Sequence, residues 1–131
     1  MANSEKKTIT REYTINAPLE KVYQALINPK LIQKWSGSPA VMSAEEGKEF
    51  QLWEGGIIGK NLEVSKDRIV QDWKEKQWKD YSKVTFKLTF ANGATHLLLQ
   101  HELIPASSFH GISKGWDEYY LGPLKELLES E

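Results

Sequence analysis

Lys83-Val84-Thr85-Phe86-Lys87-Leu88-Thr89-Phe90-Ala91-Asn92-Gly93-Ala94-Thr95-His96-Leu97-Leu98-Leu99-Gln100-His101 reads as two strands folded on a two-residue turn. Val84, Phe86, Leu88 and Phe90 alternate with Lys83, Thr85, Lys87 and Thr89, so one face is apolar and the other wet. That is the pattern of an antiparallel sheet with one solvated side. Asn92-Gly93 supplies the two positive-φ residues of a type I′ turn, and such a turn sets the register. Phe90 then faces Thr95, Leu88 faces Leu97, Phe86 faces Leu99 and Val84 faces His101. Apolar side chains meet apolar ones along the hairpin, so turn and pattern agree. Pro105 ends the second strand.

The apolar face of that hairpin needs a cover, and the end of the chain provides one. From about Ser113 to Leu128 the residues follow a helical period. Ile112, Trp116, Tyr119, Tyr120, Pro123, Leu124, Leu127 and Leu128 occupy nearly half the circumference, with Lys114, Glu118, Lys125, Glu126 and Glu129 opposite. So wide an apolar arc calls for a sheet that curves around the helix rather than one flat partner. Gly122-Pro123 lies inside the pattern and is expected to kink or divide the helix.

Upstream, Thr8 to Ile15 alternates as a strand rich in β-branched residues. Asn16-Ala17-Pro18 opens a helix with Val22, Tyr23, Leu26 and Ile27 inward; Asn28-Pro29 starts a second, short one with Leu31, Ile32 and Trp35 inward. Val41 to Ala44 is a weak strand. Glu49 to Trp53 and Ile57 to Val64 flank the turn Glu54-Gly55-Gly56, and Arg68 to Trp73 precedes a charged loop, Lys74 to Asp80. The order specifies an α+β domain with one curved antiparallel sheet of about six or seven strands, two short helices after the first strand, and a long C-terminal helix.

The chain has 131 residues, within the length of one domain, so residues 1–131 are read as one. Seventeen basic and eighteen acidic residues leave a net charge of −1. That balance speaks against a nucleic-acid or anionic-membrane binder. Without cysteine there is no disulfide framework and no thiolate chemistry. The polar start, Met1 to Lys7, precedes no apolar run, and the longest stretch free of Asp, Glu, Lys and Arg, Leu88 to His101, is too short to span a bilayer. The expectation is a soluble cytoplasmic protein with no membrane contact.

No residues form a catalytic constellation, and no metal or cofactor motif is present. His96 and His101 point to opposite faces by strand parity and cannot share a metal. His101 falls on the apolar face, either as a hydrogen-bonded core residue or as a polar anchor for a ligand. Arg11 shares a face with Ile9, Tyr13 and Ile15. It either grips a ligand carboxylate, pairs with an internal acid, or snorkels out at the sheet end. Gly55-Gly56-x-x-Gly59 lacks the lysine-serine pair of a phosphate loop and reads as a hairpin, with Gly59 letting a strand bend. Trp35, Trp73 and Trp116 belong to the core, and Trp78 packs back onto the sheet. Trp53 and Trp78 lie near turns, where an exposed ring is a candidate contact.

Several short matches accompany this order. They include Ala17-Pro18 with Val22-Tyr23, Pro29 with Leu31 and Trp35, Gly47 with Phe50, Gly55-Gly56 with Gly59, Ile69-Val70 with Trp73, Ile104-Pro105, and Gly115-Trp116-x-x-Tyr119-Tyr120. The chain resembles the C-terminal domain of the activator of heat-shock protein 90 ATPase family, of the START-like (SRPBCC) superfamily with its helix-grip fold. The resemblance implies no catalytic residue, although relatives in the superfamily include enzymes. It implies a protein-interaction module, co-chaperone-like, acting on a heat-shock-protein-90-type chaperone. The alternative it carries is a small apolar-ligand binder, with a cavity lined by Phe86, Leu88, Leu99, Trp116 and Tyr120 and with His101 or Arg11 as polar anchor. The sequence departs from the co-chaperone at Gly122-Pro123. It also contains no counterpart of the N-terminal domain that makes the co-chaperone's main chaperone contact, which argues against strong ATPase activation.

Overall fold

The hairpin forms in the register its side chains demand. β5 (Ser82–Ala91) and β6 (Ala94–Pro105) pair with Val84 opposite His101, Phe86 opposite Leu99 and Leu88 opposite Leu97. Asn92 and Gly93 turn at φ of 54° and 80°, as a type I′ turn requires. The computed structural model describes residues 5–130, so of the polar start Met1–Lys7 the first four residues lie outside them. The remaining strands are β1 (Lys6–Ile15), β2 (Glu49–Leu52), β3 (Ile57–Ser65) and β4 (Arg68–Glu75). They complete one antiparallel six-stranded sheet in the order β1-β6-β5-β4-β3-β2. The weak strand expected at Val41 to Ala44 makes a single bridge, Val41 to Gln51, and adds no seventh strand.

Two short helices follow β1. In α1 (Leu19–Ile27) the stripe Val22, Tyr23, Ala25, Leu26 and Ile27 is buried. Asn28 then caps α2 (Pro29–Ser36), its side-chain oxygen accepting from the N–H groups of Lys30 at 2.9 Å and Leu31 at 3.4 Å. This satisfies donors that the first turn leaves without a helical partner. Gly37, at φ 77°, ends α2 in the left-handed conformation that glycine adopts most readily. Trp35, at the far end of α2, donates its indole N–H to the carbonyl of Ala25 at 2.8 Å and locks the two helices together.

The sheet bends around the C-terminal helix at specific residues. At Gly59 a Cβ would lie 2.0 Å from the Asp72 carbonyl and 2.6 Å from the Phe50 ring. The absent side chain is what lets β2, β3 and β4 curl together over Phe50, which is 1% exposed. Gly59→Ala is therefore expected to destabilise the domain by about 1–3 kcal/mol, because a backbone carbonyl cannot step aside as a flexible side chain can. Urea denaturation measures it; an unchanged midpoint would show that the sheet bends elsewhere.

Two bulges complete the curvature. Opposite Thr8, β6 supplies both Glu102 and Leu103, and Leu103 takes φ 64°. This reverses the side-chain parity, so that Ile104 is buried and Leu103 exposed. In β3 the pairing shifts between Asn61 and Glu63, which leaves Leu62 exposed. Asn61, fully buried, donates to the Ser43 carbonyl at 2.8 Å and accepts from Gln71 at 2.9 Å, which ties the segment before β2 to the sheet.

Candidate functional site

The C-terminal helix, expected from about Ser113 with a kink or a division at Gly122-Pro123, is divided by a turn of different width. It starts earlier, as α3 (Phe109–Gly115), passes through a π-helical turn (Trp116–Leu121), and resumes as α4 (Gly122–Glu129). The cause is Gly122-Pro123. Proline cannot donate to the carbonyl four residues back and its ring would clash with it. The wider turn absorbs this, the N–H of Gly122 bonding to the Asp117 carbonyl five residues earlier. Only glycine fits there, since a Cβ on residue 122 would lie 2.3 Å from that oxygen. The helix therefore continues past the proline, and the π turn carries Trp116, Tyr120 and Leu121 into the sheet.

Beneath the turn the aromatic rings form one continuous chain. Trp78 meets Trp73 at 6.2 Å between centroids, Trp73 stacks on Trp116 at 5.5 Å, and Trp116 meets Tyr120 at 4.6 Å. Tyr120 meets Trp35 at 4.5 Å, and Trp35 meets Trp53 edge-on at 6.3 Å. Phe86 supports both Trp116 and Tyr120 from the sheet, each at 5.9 Å. Trp78 does fold back, donating its indole N–H to the Ser108 hydroxyl at 3.1 Å.

His101 sits inside this cluster at 0% exposure. Trp116 donates its indole N–H to Nδ1 at 2.9 Å. Indole is a donor only, so Nδ1 carries no proton and the neutral ring holds its hydrogen on Nε2. Nε2 lies 2.7 Å from the Ser82 hydroxyl, which donates onward to the Trp73 carbonyl at 2.5 Å. Every polar atom of His101 and Ser82 is thus engaged within the protein. Burial holds the imidazole down at a pKa of about 3, neutral at any physiological pH.

Arg11 takes the second of its three readings, pairing with an acid of the protein. It reaches Asp117 in the π turn at 3.1 Å and the Ser113 hydroxyl at 2.7 Å. Tyr13 donates its O–H to the same carboxylate at 2.6 Å. Burial first, and then that carboxylate, push the Tyr13 phenol up to about 12. The cluster is half-exposed and fastens β1 to the last helix.

A groove of about 430 Å³ opens where the helix crosses the ends of β3 and β4. Trp53, Ile57 and Glu75 form one wall; Trp116, Tyr119 and Tyr120 form the other, with Gly111 and Gly115 between them on the helix. A Cβ at Gly111 would meet nothing within 4 Å, so the missing side chain leaves the space open. Tyr120 is 2% exposed and its hydroxyl has no hydrogen-bond partner among the described residues. Burial raises its pKa, keeping the phenol protonated.

Of the seven residues placed at a cavity from sequence, the groove is lined by two, Trp116 and Tyr120. Phe86, Leu88, Leu99 and His101 lie beneath them, each at 3% exposure or less, in a filled core. Arg11 stands on the outer side with Asp117. Glu75, Ile57 and Tyr119 were not legible as site residues. The one available hint was Trp53 beside its turn. Among the described residues no group of histidines and carboxylates is arranged to hold a metal. No helix there is long and apolar enough to cross a membrane.

The model of the family described as Activator of Hsp90 ATPase homolog 1-like protein matches residues 16–129. The chain belongs to this family. Among members of the Hsp90 ATPase activator family, it is 32% identical over 114 residues to the activator of 90 kDa heat shock protein ATPase homolog 2 of Mus musculus, covering 85% of this chain and 34% of that one. It is 30% identical over 123 residues to homolog 1 of Homo sapiens, covering 92% and 36% respectively. The chain thus spans about a third of the length of these relatives. An HSP90 activator from Plasmodium falciparum superposes with a TM-score of 0.84 at 28% identity, covering 95% of this chain and 96% of that one. A protein from Mesorhizobium loti gives 0.83 at 26%, with 95% and 98% covered. The helix-grip fold is shared across these structures.

Proposed function

We propose that this chain is a non-enzymatic interaction module that docks through its surface on a heat-shock-protein-90-type ATPase. The observation that carries the reading is the filled interior: Phe86, Leu99, His101 and Trp116 close the space where an enclosed ligand would sit, at 2% exposure or less. The names of the mammalian relatives and of the Plasmodium structure support the choice of partner. Such a module acts by binding the ATP-competent conformation of the chaperone better than its alternatives, since only differential affinity shifts a conformational equilibrium. The test is titration of the purified domain into the host's own chaperone, following binding by calorimetry and ATP turnover by phosphate release. Binding with a rise in turnover is expected; no binding and no change would remove the reading.

The groove favours a second reading, a small ligand held against Trp116 and Tyr120. Its volume of about 430 Å³ falls within the ordinary range of small-molecule sites, about 300–1,000 Å³.

A further inference from the structure

We infer that the groove binds an apolar organic cation, an amine protonated at neutral pH and carried on an aromatic or aliphatic body. This rests on the second reading above, that the groove is a ligand site. Two observations select the class. The walls are aromatic: Trp53 and the exposed Tyr119 offer ring surface to the space, above Trp116 and Tyr120, which line it but are each only 2% exposed. Ring faces carry partial negative charge and attract ammonium groups. Glu75 is the only ionic side chain in the lining among the described residues. One of its carboxylate oxygens accepts from Gln77 at 2.6 Å, and no cation of the described residues pairs with it. An anionic ligand would be repelled there, and a neutral one would strip water from the carboxylate without replacing its interactions.

The experiment uses three probes with matched bodies: 4-phenylbutylammonium, pentylbenzene and 5-phenylpentanoate. Each is titrated into 15N-labelled protein, and the amides of Gly111 and Gly115 and the indole N–H groups of Trp53 and Trp116 are followed. The ammonium is expected to shift these signals and to bind at least about fivefold more tightly than pentylbenzene, within the span of cation–π and ion-pair contributions. The pentanoate should not bind. Glu75→Gln keeps the shape and should bring the ammonium down to the affinity of the neutral probe. Gly111→Leu fills open space from a helical position that tolerates a side chain, so it should fold normally and lose the shifts. Equal binding of ammonium and pentylbenzene, unaltered by Glu75→Gln, would overturn the cation while leaving a ligand groove. No shift with any probe would overturn the cation and the ligand groove together.

Discussion

Trp116→Ala is expected to cost the domain about 3–5 kcal/mol, the range for truncating a large buried aromatic. The side chain is 2% exposed and lies at the centre of the aromatic chain, against Trp73, Phe86, His101 and Tyr120. Its loss opens a cavity that these rings cannot close, because Phe86 and Trp73 are fixed on strands and Tyr120 on the same helix. It also removes the N–H that Nδ1 of His101 accepts. A second variant separates the two effects. Trp116→Phe keeps one six-membered ring in place and removes the donor, so it should cost less than the alanine variant, about 1–3 kcal/mol for leaving a buried acceptor unsatisfied together with the smaller void left by the lost part of the indole. Guanidinium denaturation of both variants decides the matter. A loss below about 1 kcal/mol for the alanine variant would mean that the helix does not depend on this ring to dock on the sheet.

The elements legible from sequence are those dictated by local rules. Asn92-Gly93 imposes a turn, the turn imposes a register, and the alternation of Val84, Phe86 and Leu88 confirms it, so the hairpin needed no knowledge of the remaining chain. The breadth of the apolar arc around Trp116 likewise demanded a curved partner. What stayed hidden depends on residues distant in sequence. Arg11 is legible as a charge on an apolar face, but its partner Asp117 lies 106 residues away, in the π turn that precedes Pro123. Leu103 carries no mark of a bulge. It adopts φ 64° because the pairing of β1 with β6 has one residue too many at that point, a property of two strands together. The groove was the least legible feature, since part of it is built by what is missing. Gly111 and Gly115 read in sequence as weak helix formers, and only the superposed ends of β3 and β4 show the space they leave.

Acid should unfold this domain earlier than its carboxylates alone would require, and His101 is the reason. Burial depresses the imidazole to about 3 in the native state, whereas the unfolded chain titrates near 6.5. Below about pH 6.5 the unfolded state therefore binds a proton that the native state refuses. Stability from this residue is complete above pH 6.5 and is lost as pH falls towards 3. At pH 5 the loss is about 2 kcal/mol, and by pH 3 it approaches about 4–5 kcal/mol, at about 1.4 kcal/mol per pKa unit. A charged ring has no escape within the fold. Protonating Nδ1 would set its new N–H against the indole N–H of Trp116, donor against donor, at a separation of 2.9 Å. Glu20 and Glu129, both lowered by hydrogen bonds to their neighbours, act in the same direction at lower pH. The measurement is urea denaturation of the wild type and His101→Gln across pH 7 to 4. The variant starts less stable, yet the gap between the two proteins should narrow by about 2 kcal/mol from pH 7 to 5. A gap that stays constant would show that His101 titrates normally in the folded protein. The ring resonances of His101 in the wild type give an independent reading, since they should hold their neutral positions down to about pH 4.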